Sequence, residues 1–283
     1  MANIRIVTDS TADLMPEVRE KYHISVIPLC VQLGEDSFFD GETITPDEIY
    51  QWSDQHKLTP KTAAVLPGKA LEVIEPMVEA GDDIIFIGIS EELSATCQVL
   101  RLLAQQLHYD RLFVIDSRNL CFGVGLQAIW AADLAAQGKP AEEIVNIVGE
   151  RQDRIRTSFI IDTLTYLARG GRCSGATALV ANALRLKPTI IVGNGGMTVG
   201  KKYRGKGVSV YQKYVGDMRE ALLNASPEMI GIYYSGGCEE AFEQIQQDIR
   251  ELGYFETIIT GRAGSVISCH CGPGTLGIIY LEK

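Results

Sequence analysis

The sequence predicts an α/β fold of two lobes, an N-terminal lobe built on a Rossmann-like parallel sheet and a mixed α/β C-terminal lobe. Three observations predict it. The chain has 283 residues, more than one typical core accommodates. In its first half, short β-rich runs alternate with helical patterns, the order that gives parallel strands joined by crossover helices. In its second half that alternation gives way to a hairpin signal and to strands of mixed spacing. The expected lobes are residues 1–150 and 151–283, with the Thr59–Gly68 loop packing on the second lobe.

Taken in order, Ile4–Thr8 reads as a strand and Asp9-Ser10-Thr11 as a polar turn. Ile24–Leu29 is a second strand, stopped by the polar residues around Phe39-Asp40-Gly41. Thr45 and Pro46 start a helix, Thr45 as its N-cap and proline at its first position. Ile84–Ile89 is the clearest buried strand. The helix after it places Leu93, Cys97, Leu100, Ala104 and Leu107 on one face. Leu112–Asp116 is a strand, and Gly123–Ala136 a largely apolar helix ended by Gly138-Lys139-Pro140.

The second half begins near Arg151. Ser158–Asp162 reads as a strand, followed by helices over Thr163–Ala168 and Ala176–Leu186. Pro188–Val192 and Met197–Val199 flank Asn194-Gly195-Gly196. That is a hairpin, because Asn-Gly supplies the positive φ of a tight turn. The strand Met229–Tyr234, a helix over Glu239–Leu252 and the strands Thr257–Thr260 and Thr275–Leu281 complete the chain.

Composition narrows the function. Hydrophobic residues make up 46% and charged residues 22%, values of an ordered globular protein. The net charge of -10 opposes nucleic-acid phosphates and a bare anionic membrane surface. No apolar run approaches the roughly 20 residues that span a bilayer, so no integral membrane segment is expected. The opening residues carry no export signal, and the seven cysteines include no CxxC pair. A cytoplasmic protein with free thiols is expected.

Ligands of open parallel sheets sit beyond the carboxyl ends of the strands, here at Asp9-Ser10-Thr11 and at Ser90–Thr96. Ser94-Ala95-Thr96 lies where a strand passes into a helix. Backbone N–H groups there suit an anion, and the two hydroxyls add donors; plain helix capping explains the same residues. His270 sits in Ser268-Cys269-His270-Cys271-Gly272-Pro273-Gly274. Read as extended, this run points neighbouring side chains to opposite faces, which disfavours a shared metal ion. A hydrogen-bond partner for a ligand, or a satisfied structural histidine, fits better. Gly200–Gly207 nearly matches a phosphate loop but has Gly207 where Ser or Thr would hold Mg²⁺. Its cations Lys201, Lys202, Arg204 and Lys206 form either a solvated loop or a docking patch for an acidic partner. Gly170-Gly171 stops a helix, leaving Arg172 exposed or beside an anionic ligand. A serine hydrolase or transferase using Ser94 and His270 is the alternative; the sequence lacks the G-x-S-x-G elbow.

Several of these residues, in order along the chain, resemble the DegV family of bacterial fatty-acid-binding proteins. The resemblance rests on Val7-Thr8-Asp9-Ser10-Thr11-Ala12-Asp13-Leu14, Ile27-Pro28-Leu29, Asp40-Gly41 and Leu93-Ser94-Ala95-Thr96. It continues through Tyr166-Leu167-Ala168-Arg169-Gly170-Gly171-Arg172, Lys187-Pro188 and His270-Cys271-Gly272-Pro273-Gly274. It implies two α/β lobes with a long-chain fatty acid between them, its carboxylate held by Thr62, Ser94 and His270. Thr96 and Arg172 would assist. It further implies that a separate fatty acid kinase makes the acyl phosphate for phospholipid metabolism; the basic residues Lys201, Lys202, Arg204 and Lys206 are the expected docking patch for it. The carrier itself would use no cofactor and do no catalysis. One departure is visible: where the family often carries Thr-Ser-Gln-Pro-Ser-Pro, this chain has Thr62-Ala63-Ala64-Val65-Leu66-Pro67. The expected apolar wall is Leu93, Ile161, Leu164, Leu167 and Ile267.

Overall fold

The computed structural model describes residues 3–173, 176 and 186–283. The chain opens with β1 (Ile4–Asp9), α1 (Pro16–Tyr22), β2 (Ile24–Ile27), β3 (Cys30–Leu33), β4 (Asp36–Phe39) and α2 (Pro46–His56). It continues through β5 (Lys61–Ala63), α3 (Pro67–Glu79), β6 (Asp83–Gly88), α4 (Thr96–Gln106), β7 (Leu112–Asp116), α5 (Phe122–Ala136) and α6 (Ala141–Arg151). Then come β8 (Ile155–Ile160), α7 (Thr165–Gly170), β9 (Leu186–Gly193), β10 (Gly196–Arg204), α8 (Val208–Asp217) and α9 (Arg219–Leu223). β11 (Ala225–Tyr234), α10 (Glu239–Glu251), β12 (Thr257–Arg262), α11 (Ser265–Cys271) and β13 (Leu276–Glu282) end it.

The first half forms a parallel sheet in the order β2-β1-β6-β7. Its centre is the run Ile84-Ile85-Phe86-Ile87, wholly buried because helices cover both faces. Strand order switches direction about β1, which leaves a crevice at the carboxyl ends of β1 and β6. Asp9 fixes the two loops there. Its carboxylate accepts the N–H of Thr11 at 2.9 Å and of Ile89 at 2.8 Å. The second half forms a mixed sheet in the order β10-β9-β8-β13-β11-β12.

Helix α5 lies between the two sheets. Every residue from Phe122 to Ala132 is buried, and the helix packs on β1, β6, β8 and β13. One hydrophobic cluster therefore joins Ile6 and Ile87 to Phe159 and Ile279. An amphipathic helix cannot occupy such a place; one that is apolar on all sides can.

Several expectations change. Residues 24–39 are not one strand and a loop: Pro28 interrupts the run, and β3 and β4 form a hairpin through Gly34, at φ 66°. With β5 they make a separate antiparallel sheet, β4-β3-β5. These strands have three or four residues each, too short for an alternation to register. The residues Gly200–Arg204 belong to strand β10, so they are neither a loop nor a phosphate cradle; the Asn194-Gly195 turn pairs the whole of β10 with β9. Apart from its end residues, the helix expected over 176–186 lies outside the described residues, and Leu186 opens β9. Among the described residues no helix is long and apolar enough to cross a membrane.

The N-terminal signals of α2 are all present. The Thr45 hydroxyl and the Glu48 carboxylate each serve the other's backbone N–H, with Pro46 in the first turn.

Candidate functional site

The segment expected to be extended around His270 is a helix. Gly264 precedes α11 and Gly272, at φ 69°, ends it; the β-branched and thiol residues between them carry no strong helical signal. Although it comes from the second half of the chain, α11 packs on the first. Val266 and Cys269 enter the cluster containing Val7, Leu29 and Val31. Its N-terminal end is held by two buried carboxylates. The Gly264 N–H donates to Asp13 at 2.8 Å and the Ser265 N–H to Asp40 at 2.6 Å.

α11 thereby delivers His270 to Thr62 on β5, with His270 Nε2 and Thr62 Oγ1 2.8 Å apart. On the other side of the ring stands Gly170, the last residue of α7. A Cβ at this position would lie 2.3 Å from His270 Nδ1. The glycine is required by the approach of the ring and not only as a helix stop. Nδ1 is buried and has no hydrogen-bond partner among the described residues. Burial pushes the imidazole down from 6.5 to about 4, and the positive charge of Arg172 pushes it the same way. His270 is thus neutral at neutral pH. In its Nε2–H tautomer the ring donates to Thr62, which leaves the Thr62 hydroxyl free to donate into the space in front of it.

Ser94 is arranged in the same way. Its Oγ lies 2.9 Å from Thr96 Oγ1, which also accepts the Val65 N–H at 3.4 Å. When Thr96 donates to Ser94, the Ser94 hydroxyl is free to donate outward. Neither hydroxyl caps α4: the N-cap is Ala95, without a side-chain bond. Thr96 is fully buried and does not line the cavity, so it positions Ser94 and does not itself face a ligand.

Thr62, Ser94, His270 and Arg172 meet at one cavity of about 230 Å³. Arg172 is exposed and ties one guanidinium nitrogen to the Gly170 carbonyl at 2.6 Å. The remainder of the wall is apolar and comes from widely separated elements, including Leu29, Ile89, Leu120, Phe159, Met197 and Ile267. Of the expected wall, Leu93, Leu167 and Ile267 line it. Ile161 and Leu164 pack in the core instead, since they lie past the end of β8 on residues turned inward. The altered loop contributes Ala63 and Ala64, small apolar surfaces where the family pattern has polar ones. Arg169 of α7 donates to Thr59 Oγ1 at 2.8 Å, which ties α7 to the residues just before β5.

The basic residues lie elsewhere. Lys201, Lys202, Arg204 and Lys206 are all exposed, the first three on the edge strand β10. Lys201 pairs with Asp217 at 2.6 Å. Met197, on the same strand, lines the cavity, and a strand rises roughly 3.3 Å per residue, so Lys202 lies roughly 15 Å along the strand from it.

A hydrolytic centre does not assemble. The partner of Ser94 is Thr96, that of His270 is Thr62, and among the described residues no carboxylate orients His270 Nδ1. An imidazole at about 4 is also a weak base at neutral pH. Among the described residues no three His, Cys, Asp or Glu side chains form a group that could hold a metal ion.

A largely apolar cavity whose wall also carries two hydroxyls and a neutral imidazole suits a carboxylate on a long hydrocarbon. In comparison with known families, residues 3–283 match the model described as "Uncharacterised protein, DegV family". The chain belongs to the DegV family. A DegV domain-containing protein of Caldanaerobacter subterraneus subsp. tengcongensis is 31% identical over 284 residues, covering 100% of both chains. A DegV family protein from Thermus thermophilus, whose structure is described as showing fatty acid binding, superposes with a TM-score of 0.90 at 30% identity, covering 99% of this chain and 100% of that one. A stearic acid-binding protein from Eubacterium ventriosum superposes with a TM-score of 0.84 at 27% identity, covering 100% and 99%.

Proposed function

We propose that this DegV protein is a cytoplasmic carrier that encloses one long-chain fatty acid between lobes 1–150 and 151–283 and presents its carboxylate to a separate fatty acid kinase. The observation that carries this reading is the pairing of Thr62 with His270, and of Ser94 with Thr96, which sets two supported hydroxyls on the wall of a largely apolar cavity. Each pair supports one hydroxyl that can donate to a carboxylate oxygen. Arg172 adds a positive charge nearby. Burying about 15 methylenes gives roughly 12 kcal/mol gross at about 0.8 each. Lost ligand freedom takes back several kcal/mol. The carboxylate would forfeit much of the remainder unless its oxygens were hydrogen-bonded, so the hydroxyls decide whether a fatty acid or a neutral hydrocarbon is held.

In this reading the exposed cations Lys202, Arg204 and Lys206, with Lys201 beside them, dock an acidic face of the kinase. The chain supplies no phosphoryl chemistry and needs no cofactor. The test is equilibrium binding of palmitate to Thr62→Val, Ser94→Ala and the double variant. Hydrogen bonds to a charged group are worth about 1.5–3 kcal/mol. Each single change should therefore weaken binding roughly ten- to a hundredfold, while binding of the methyl ester changes little. Equal losses for acid and ester would remove the hydroxyls from the head-group site.

A further inference from the structure

Behind the cavity lies a second, smaller one of about 40 Å³. The two share four residues in their walls, Leu120, Phe159, Ile267 and Cys271, so they stand back to back across a thin partition. Around the inner hollow are several hydroxyl residues, and four of them have their oxygens engaged elsewhere. Thr157 donates to Asn119 at 2.8 Å, Ser235 to the Gly272 carbonyl at 2.6 Å and Thr275 to the Cys271 carbonyl at 3.0 Å; Ser158 pairs with Tyr214 at 2.8 Å. The Tyr233 hydroxyl, also on this wall, is buried without a hydrogen-bond partner among the described residues; a single free hydroxyl falls short of the two to four partners that hold a water, so the hollow suits hydrocarbon.

Phe159 is the largest side chain of the partition, on β8. Its cross-strand neighbour on β13 is Gly277. A Cβ built on Gly277 would lie 3.4 Å from Phe159 Cβ, an ordinary contact, so this glycine is not forced by crowding or by its backbone. A missing side chain opposite an aromatic ring leaves the space that the inner hollow occupies.

We infer that Phe159 sets the acyl-chain length this protein prefers, and that the hollow behind it, kept open by Gly277, receives the methyl end of longer chains. The inference rests on the fatty-acid reading of the outer cavity and names its ligand class more narrowly: chains that end at Phe159 are held without rearrangement, and longer ones must displace the ring. With Phe159→Ala the two hollows merge. Each further buried methylene is worth about fourfold in affinity.

The test is the affinity of the purified protein for saturated fatty acids of 12 to 20 carbons. The parent should show a maximum. Phe159→Ala should move it to chains about two to four carbons longer. Gly277→Ala, which the backbone and the surrounding space both accept, should leave shorter chains unaffected and weaken the longest at least fourfold. If Phe159→Ala folds less well, the Gly277→Ala result still decides. A profile unmoved in both variants, or lowered uniformly at every length, overturns the role of Phe159 while leaving the fatty-acid reading standing. No binding of any chain by the parent overturns both.

Discussion

Acid bears on His270 in a way that the structure makes quantitative. The imidazole titrates at about 4 in the folded protein and near 6.5 when unfolded. Above pH 6.5 it is neutral in both states. Between 6.5 and 4 only the unfolded chain takes up the proton, so stability falls as pH falls through this window. A difference of this size corresponds to about 3 kcal/mol at 1.36 per unit. Asp9 works in the opposite sense. Burial raises its carboxyl from 3.8 to about 6, so the folded chain holds that proton where the unfolded chain has lost it. Its contribution to stability is present below 3.8 and is lost as pH rises to about 6, again by about 3 kcal/mol. Burial raises the carboxyls of Asp13 and Asp40 as well, and they act in the same sense as Asp9, so only a variant isolates the histidine. His270→Gln keeps a partner for Thr62 but cannot titrate. Urea denaturation of parent and variant from pH 7.5 to 4.5 should give a stability difference that shifts in favour of the variant by about 2–3 kcal/mol as pH falls. A difference that stays constant across the range would mean that His270 titrates alike in both states, and the buried, neutral imidazole of this account would be wrong.

Other perturbations act on the supports of the site. Gly170→Ala puts a Cβ 2.3 Å from His270 Nδ1 and must move the ring; destabilisation of about 1–3 kcal/mol is expected, with weakened palmitate binding, by denaturation and equilibrium titration. Arg172→Gln removes the charge that helps depress His270, so the imidazole should titrate at higher pH when followed by NMR, with the protein's stability at pH 7 little changed. Charge reversal at Lys202 and Arg204 should leave fatty-acid affinity intact and slow a kinase-coupled assay; unchanged kinetics would remove the docking role.

The sequence made the fold legible where patterns were long. The buried strand at residues 83–88 and the apolar helix at 122–136 declare themselves by composition, and the Asn194-Gly195 turn by its backbone requirement. It was silent where elements were short. β3, β4 and β5 have too few residues to show a period, yet β5 carries Thr62, which only the family resemblance singled out. The helical state of Ser265–Cys271 was missed because its residues favour strands, and tertiary packing against the first half of the chain overrides that preference. The cavity wall was the least legible part. Leu120, Phe159 and Met197 converge from three distant segments, and nothing local distinguishes a leucine facing a cavity from one facing the core. Gly170 carries two meanings that the sequence does not separate, since Gly171, at φ 69°, supplies the helix stop and Gly170 makes room for the His270 ring.

The account stands most directly on what the cavity holds. Native mass spectrometry of the purified protein, followed by denaturing extraction, measures it. The account predicts a small molecule at one per chain, released as a long-chain fatty acid, or the uptake of one equivalent of palmitate by protein that emerges empty. Protein that is empty and takes up no fatty acid of any length, while remaining folded, would contradict it.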